Sequence, residues 1–203
     1  RAGTVVRAVG DLTAYFTALG LATAAGLNAW LPLLATGLLA RYTDVIDLSG
    51  SWTSLEDTWV LVALAVVAVA DFVGDKIPAV DHALHAAGTV IAPVTGVIAA
   101  LSSSSALDVS PGVMTAIGLV AAETSHGTRM AIRPFSTLTT GGVGNPVLSL
   151  IEDVVSAGLS LVAILLPVLA LLLVVALFVV AWRMIRRLRL RRAERPATGA
   201  APP

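Results

Sequence analysis

"PVLSLIEDVVSAGLSLVAILLPVLALLLVVALFVVAW", residues 146–182, decides the fold class. These 37 residues are almost free of charge and would make one α-helix about 55 Å long. A hydrocarbon core of about 30 Å needs only about 20 helical residues, so a single crossing cannot use them all. Pro167 offers a break, which predicts a first piece over 146–166 and a last span over 167–182. Composition agrees: 57% of the chain is apolar, 13% is charged and the mean hydropathy is +0.89. Soluble domains carry about 25% charged residues, so the chain is an all-α integral membrane protein.

Working outward, three further spans are predicted. The first, 12–40, holds "LGLATAAGLNAWLPLLATGLLA" and is long enough to tilt, with a kink at Pro32. The second, 58–74, has Trp52 and Trp59 where an interfacial aromatic belt belongs. The third, 113–132, is interrupted by Glu123, His126 and Arg129. The stretch 86–101 is short and carries Pro93; a full crossing would make five spans with the basic ends on opposite sides unless 146–166 also crosses, so a re-entrant segment is the preferred reading. About four spans plus re-entrant or broken helices thus form one transmembrane domain over residues 1–182.

Charge sets the orientation. Residues 183–195, "RMIRRLRLRRAER", hold seven Arg and one Glu, leaving six basic against twelve acidic residues elsewhere. A polybasic run after an apolar helix marks the cytoplasmic side. Four spans would place Arg1, Arg7, Lys76 and the tail on that side and the acidic loop 41–57 on the other. The end of the 183–203 tail, "PATGAAPP", has a disordered composition. The apolar stretch near the start exceeds a signal-peptide core, so no cleavable signal is expected. The absence of Cys excludes disulfides and thiolate metal sites.

A weak internal repeat accompanies the spans. "TALGLATA" at 17–24 aligns with "TAIGLVAA" at 115–122, and "SLEDTW" at 54–59 aligns with "SLIEDVV" at 149–155 after one gap. The implied halves are 13–101 and 112–182. Transporters often follow such a plan, with binding sites at the repeat interface.

The polar residues are grouped. "ADFVGDKIPAVDHALHAAG", residues 70–88, places Asp71, Asp75, Lys76, Asp81, His82 and His85 between two apolar runs. Asp71 and Asp75 share a helix face, and Pro78 starts a new helix with Asp81 near its N-terminus. Such carboxylates and imidazoles suit a divalent metal or a proton relay; a solvated interfacial turn accounts for them equally well. In the third span, Glu123, His126, Arg129 and Arg133 fall within about 120° on one face. Each charge at mid-helix costs about 2.5–3.5 kcal/mol, so the group should pair or line a wet cavity. Glu123 and His126 have the Glu-x-x-His spacing of di-iron bundles, but that site needs two such pairs and the chain has one. A structural ion pair of Glu123 with an Arg is the plainer alternative.

Ser149, Glu152, Asp153, Ser156 and Ser160 form a polar stripe on the next helix, which Asn145 is expected to cap and Pro146 to begin. The arginines of the third span and Lys76 are its natural partners. "TLTTGGVGN", residues 137–145, has the look of a flexible loop. Gly20, Ala24, Gly26 and Gly37 suit close helix packing. No hydrolase or zinc-protease motif is present, and nothing suggests nucleic acid.

"AAGLNAWLPLL", "DKIPAVD", "AAETSHGTRMAIRP" and "GGVGNPVLSLIEDVVS" together resemble the bacterial membrane family of domain of unknown function 4126, over roughly residues 13–182. Asp75, Lys76, Pro78, Asp81, His126, Arg133, Asn145, Pro146, Glu152 and Asp153 match the family pattern. Where that pattern carries a Lys, this chain has Thr128 or Arg129. The resemblance implies a multi-pass protein of the bacterial plasma membrane and brings no activity with it.

The leading expectation is therefore a small transporter or channel, more readily a homo-oligomer than a monomer, moving an ion or small polar solute through the bilayer. Its site would hold Asp71, Asp75, Lys76, Asp81, Glu123, His126, Arg129, Arg133, Asn145, Glu152 and Asp153. The alternative is a membrane-embedded metal-dependent enzyme acting on a lipid-linked substrate, with His82, His85, Glu123, His126 and Asp81 as ligands. A third reading is an assembly protein whose buried charges specify helix pairing. No cofactor is required; a divalent metal is the one the residues would suit.

Overall fold

The computed structural model describes residues 2–75 and 77–193, with side chains except at 2–9, 78, 79, 81, 82, 85, 188, 189 and 191–193. The described residues are helical and contain no strand. The helices are α1 (Ala2–Leu27), α2 (Leu31–Tyr42), α3 (Thr58–Gly74), α4 (Pro78–Ser103), α5 (Pro111–Thr140), α6 (Asn145–Leu165) and α7 (Pro167–Ala193), with a 3-10 turn at Gly50–Glu56 before α3.

Proline punctuates this order. Pro32, Pro78, Pro111, Pro146 and Pro167 each sit in the first turn of a helix, where the missing N–H would have had no intrahelical partner. Ile77, just before Pro78, is extended (φ −107°, ψ 110°), as the proline ring demands of its predecessor. α5 stops at a left-handed Gly141 (φ 62°), a conformation glycine adopts without steric cost.

Among the described residues, three helical stretches are long and apolar enough to cross a membrane: Ala86–Ser103, Asn145–Leu165 and Pro167–Arg187. The 3-10 turn and α3, bent by 63°, make a fourth if the pair is counted as one span. Only 17% of the α7 stretch is buried, against 39% of the other two, so α7 lies on the perimeter. α1 is central, packing on α4, α5, α6 and α7.

The helices alternate in direction. Ala14 and Ala18 of α1 pack against Ala100 of α4 and Met114 of α5, whereas Gly26 lies against Ala122 and His126. Thr17 donates to Ala163 O near the end of α6, and Asn28 meets Asp153 near its start. Ala170 touches Gly20, and Ala181 reaches the level of Leu27. α1, α3, α5 and α7 therefore run from the Ser103 end of the bundle to the Asn28 end, and α2, α4 and α6 run back. The parallel α1 and α5 carry the matched segments 17–24 and 115–122; segments 54–59 and 149–155 sit at opposite ends.

Three expectations are corrected. Residues 12–40 are not one kinked span but two helices broken at 28–30, with Pro32 inside the first turn of α2. The stretch 86–101 is not re-entrant: α4 is continuous through Pro93. The chain also enters and leaves at opposite ends of the bundle, because α2, α4 and α6 each run back between α1, α3, α5 and α7. The break at Pro167 is where the sequence put it.

Candidate functional site: a buried ion cluster at a helix break

The centre of the site is the break between α1 and α2. Asn28 is buried, and its Oδ1 accepts the N–H groups of Trp30 (3.0 Å) and Leu31 (3.2 Å), which are left without carbonyl partners where α2 begins. Its Nδ2 donates to Asp153 Oδ1 (2.9 Å) and to Asp71 Oδ2 (3.3 Å). One amide thus caps a helix and bridges carboxylates 82 positions apart on α3 and α6.

Beside it lies a buried ion cluster. Arg129 Nη2 is 3.0 Å from Asp75 Oδ2, and its Nε is 2.7 Å from Glu152 Oε2 as an ion pair without hydrogen-bond alignment. Arg129 Nη1 donates to the terminal carbonyl of α1, Leu27 O, at 2.9 Å. Arg133 Nη2 donates to Glu152 Oε2 at 2.7 Å and is 3.6 Å from Asp75 Oδ2. Ser149 donates to Asp75 Oδ2. Burial makes these contacts obligatory: removing either partner would strand a charge in a low-dielectric medium.

Cavities flank the cluster on both sides. One of about 290 Å³ opens between α1, α3 and α4 and is lined by Asp71, Asp75, Arg129, His126 and Trp30 among apolar side chains. The other, about 140 Å³, lies between α5, α6 and α7 and reaches Arg129 and Glu152. Arg129 borders both. His126 is buried, its ring against Gly88, and its Nε2 has no hydrogen-bond partner.

The structure thus brings together Asp71, Asp75, His126, Arg129, Arg133, Glu152 and Asp153. Glu123 is exposed on α5, at the edge of the face that holds His126, Arg129 and Arg133. Asn145 also stands apart; its Nδ2 donates to Thr137 Oγ1 (3.0 Å) two turns above Glu152, and Gly144 rather than Asn145 is the N-cap of α6. Lys76 and the side chains of Asp81, His82 and His85 lie outside the described residues. Among the described residues, no group of three His, Asp or Glu is placed to hold a metal.

Sequence reasoning missed Asn28, Trp30 and Ser149 as members of the site. Asn28 carried a signal: a lone amide in an apolar run, four residues before a proline, is a helix stop and restart.

Fold and site define an all-α, multi-pass membrane protein with a charged interior. Domain of unknown function DUF4126 matches residues 15–187, and the chain belongs to that family. No curated protein and no solved structure matches the chain.

Proposed function

We propose that the protein is a small transporter or channel that moves an ion or small polar solute past the Asp75–Arg129–Glu152 cluster. The observation that supports it is a buried ion network with a cavity on each side and one arginine bordering both. A purely structural ion pair has no need of cavities, and a lipid-facing helix has no need of charge.

The charge balance favours a cation or proton over an anion. Asp71, Asp75, Glu152 and Asp153 bring four carboxylates against the two guanidiniums of Arg129 and Arg133 among the described side chains. Excess negative charge away from water attracts cations or takes up protons. Arg129 holds one carboxylate on each side, so releasing Asp75 while keeping Glu152, or the reverse, would open one cavity at a time. Broken helices at such a site also recur among transporters, where exposed helix-terminal carbonyls face the transported species. Three or four candidate spans among the described residues make a thin wall around a pathway, which favours a homo-oligomer. The Arg-rich end of α7 supports a cytoplasmic position for the Asn28 end of the bundle, by the positive-inside rule.

Proteoliposomes holding the purified protein test this. Cation, anion and pH gradients should reveal a flux that Asp75→Asn abolishes while the variant keeps its helical content and elution volume. A folded protein that is silent in electrogenic and electroneutral assays alike would overturn the proposal.

A further inference from the structure

The larger cavity has a chemistry of its own. Its walls are mostly apolar, built by side chains such as Leu84, Ile91 and Val67, with the indole of Trp30 on one side. Its polar lining comes from Asp71, Asp75, His126 and Arg129, of which Asp75 and Arg129 are in direct contact. Two of these are already committed. Asp75 is held by Ser149 and Arg129, and Arg129 by Asp75, Glu152 and Leu27 O. That leaves the Asp71 carboxylate, half-buried and tied at Oδ2 to Asn28, and His126. His126, 2% exposed, is part of the lining, and its buried Nε2 has no hydrogen-bond partner, which a buried polar atom seldom lacks.

We infer that this cavity binds a small organic ammonium ion, its N–H groups donating to Asp71 and to His126 Nε2 and its alkyl or aryl part lying against Trp30 and the aliphatic wall. The inference deepens the transport reading by naming a substrate class for the same site, and rests on that reading only for the direction of movement. The alternatives fit less well. A bare sodium or potassium ion needs about six oxygen ligands, and an apolar wall cannot replace its water. An anion would face Asp71 and Asp75 with both arginines already paired. An ammonium meets a carboxylate, a nitrogen acceptor and an aromatic face at once, and 290 Å³ suits a molecule of several heavy atoms.

Calorimetric titration of the full-length protein in nanodiscs tests it, with n-butylammonium as the probe and n-butanol and butyrate as neutral and anionic matches of equal size. The expected result is saturable binding of butylammonium only. Asp71→Asn should weaken it at least about tenfold. Ala70→Leu, which fills the cavity from α3 without changing charge, should do the same. Thermal unfolding midpoints of both variants should match wild type. Failure of the folded wild type to bind butylammonium overturns the inference, as does undiminished binding by Asp71→Asn or equal binding of butanol. The two proposals fail separately: Asp75-dependent flux without amine binding removes only the substrate assignment, and amine binding without any flux removes only transport.

Discussion

Arg133 Nη2 and Arg129 Nε each lie 2.7 Å from the same atom, Glu152 Oε2. Two guanidiniums one helical turn apart on α5 therefore converge on one carboxylate of α6, although α5 and α6 otherwise touch little. The contact is electrostatic where the neighbouring interfaces of α1 are apolar and tight. Glu152→Ala would leave both guanidiniums short of a partner, and breaking a buried ion pair costs about 3–5 kcal/mol. The expected outcome is a loss of that size in equilibrium unfolding in mixed micelles. Adding Arg133→Met should recover part of the loss, because the second charge no longer stays buried alone. A double-mutant cycle on the pair measures the coupling.

Much of this was legible in the sequence, and the reasons are physical. Helix starts announced themselves through proline, whose ring acts locally, so Pro78, Pro146 and Pro167 were readable without tertiary knowledge. The polar faces of α5 and α6 were readable because buried charge is expensive enough to force a periodic pattern. The α1–α2 break was not, because Pro32 is compatible both with a kink and with a first turn. What decides is the Asn28 side chain bonding to Trp30 and Leu31 and to two distant carboxylates. Glu123 lies at the edge of its 120° face, which is wider than the strip of α5 that meets α6, so helical periodicity alone did not set it apart from Arg129 and Arg133.

Asn28 makes four hydrogen bonds at once, so its replacements separate capping from bridging. Asn28→Ala loses both and should cost about 1–3 kcal/mol of stability, since Asp153 and two backbone N–H groups lose a partner. Asn28→Asp keeps the capping oxygen but sets a third carboxylate between Asp71 and Asp153. It should fold less stably than wild type at neutral pH and recover as pH falls, because protonation relieves the crowding. Unfolding midpoints at pH 5 and pH 8 check this; a wild-type midpoint for Asn28→Asp at pH 8 would refute the bridge.

Glycines divide by what a Cβ would meet. At Gly26 it would come 2.3 Å from Ala122 O and at Gly118 2.6 Å from Val97 Cα, both backbone atoms that cannot step aside. Gly26→Ala and Gly118→Ala should therefore push α5 off α1 and α4 respectively, at about 1–3 kcal/mol each. Gly127 and Gly158 are also helical but have nothing within 4 Å. Replacing either with Ala should be neutral or stabilise by up to about 1 kcal/mol. Equal effects in the two groups would count against the close packing of α1, α4 and α5.

The alternation of the helices makes a topological prediction that the absence of Cys renders easy to read. Leu107 lies in the connection between α4 and α5 at the Ser103 end, and Val143 lies in the turn between α5 and α6 at the Asn28 end; both are exposed. α7 leaves the bundle at the Asn28 end, carrying Arg183, Arg186 and Arg187. With single cysteines at these two positions, a membrane-impermeant maleimide should label Leu107→Cys from one face of sealed vesicles only and Val143→Cys from the other. A C-terminal tag should be digested from the same face that labels Val143→Cys. The positive-inside rule predicts that this face is the cytoplasmic one. Labelling of both cysteines from one face would mean that α5 does not cross. The Arg129–Glu152 contact would then belong to a surface-lying helix rather than to a pathway.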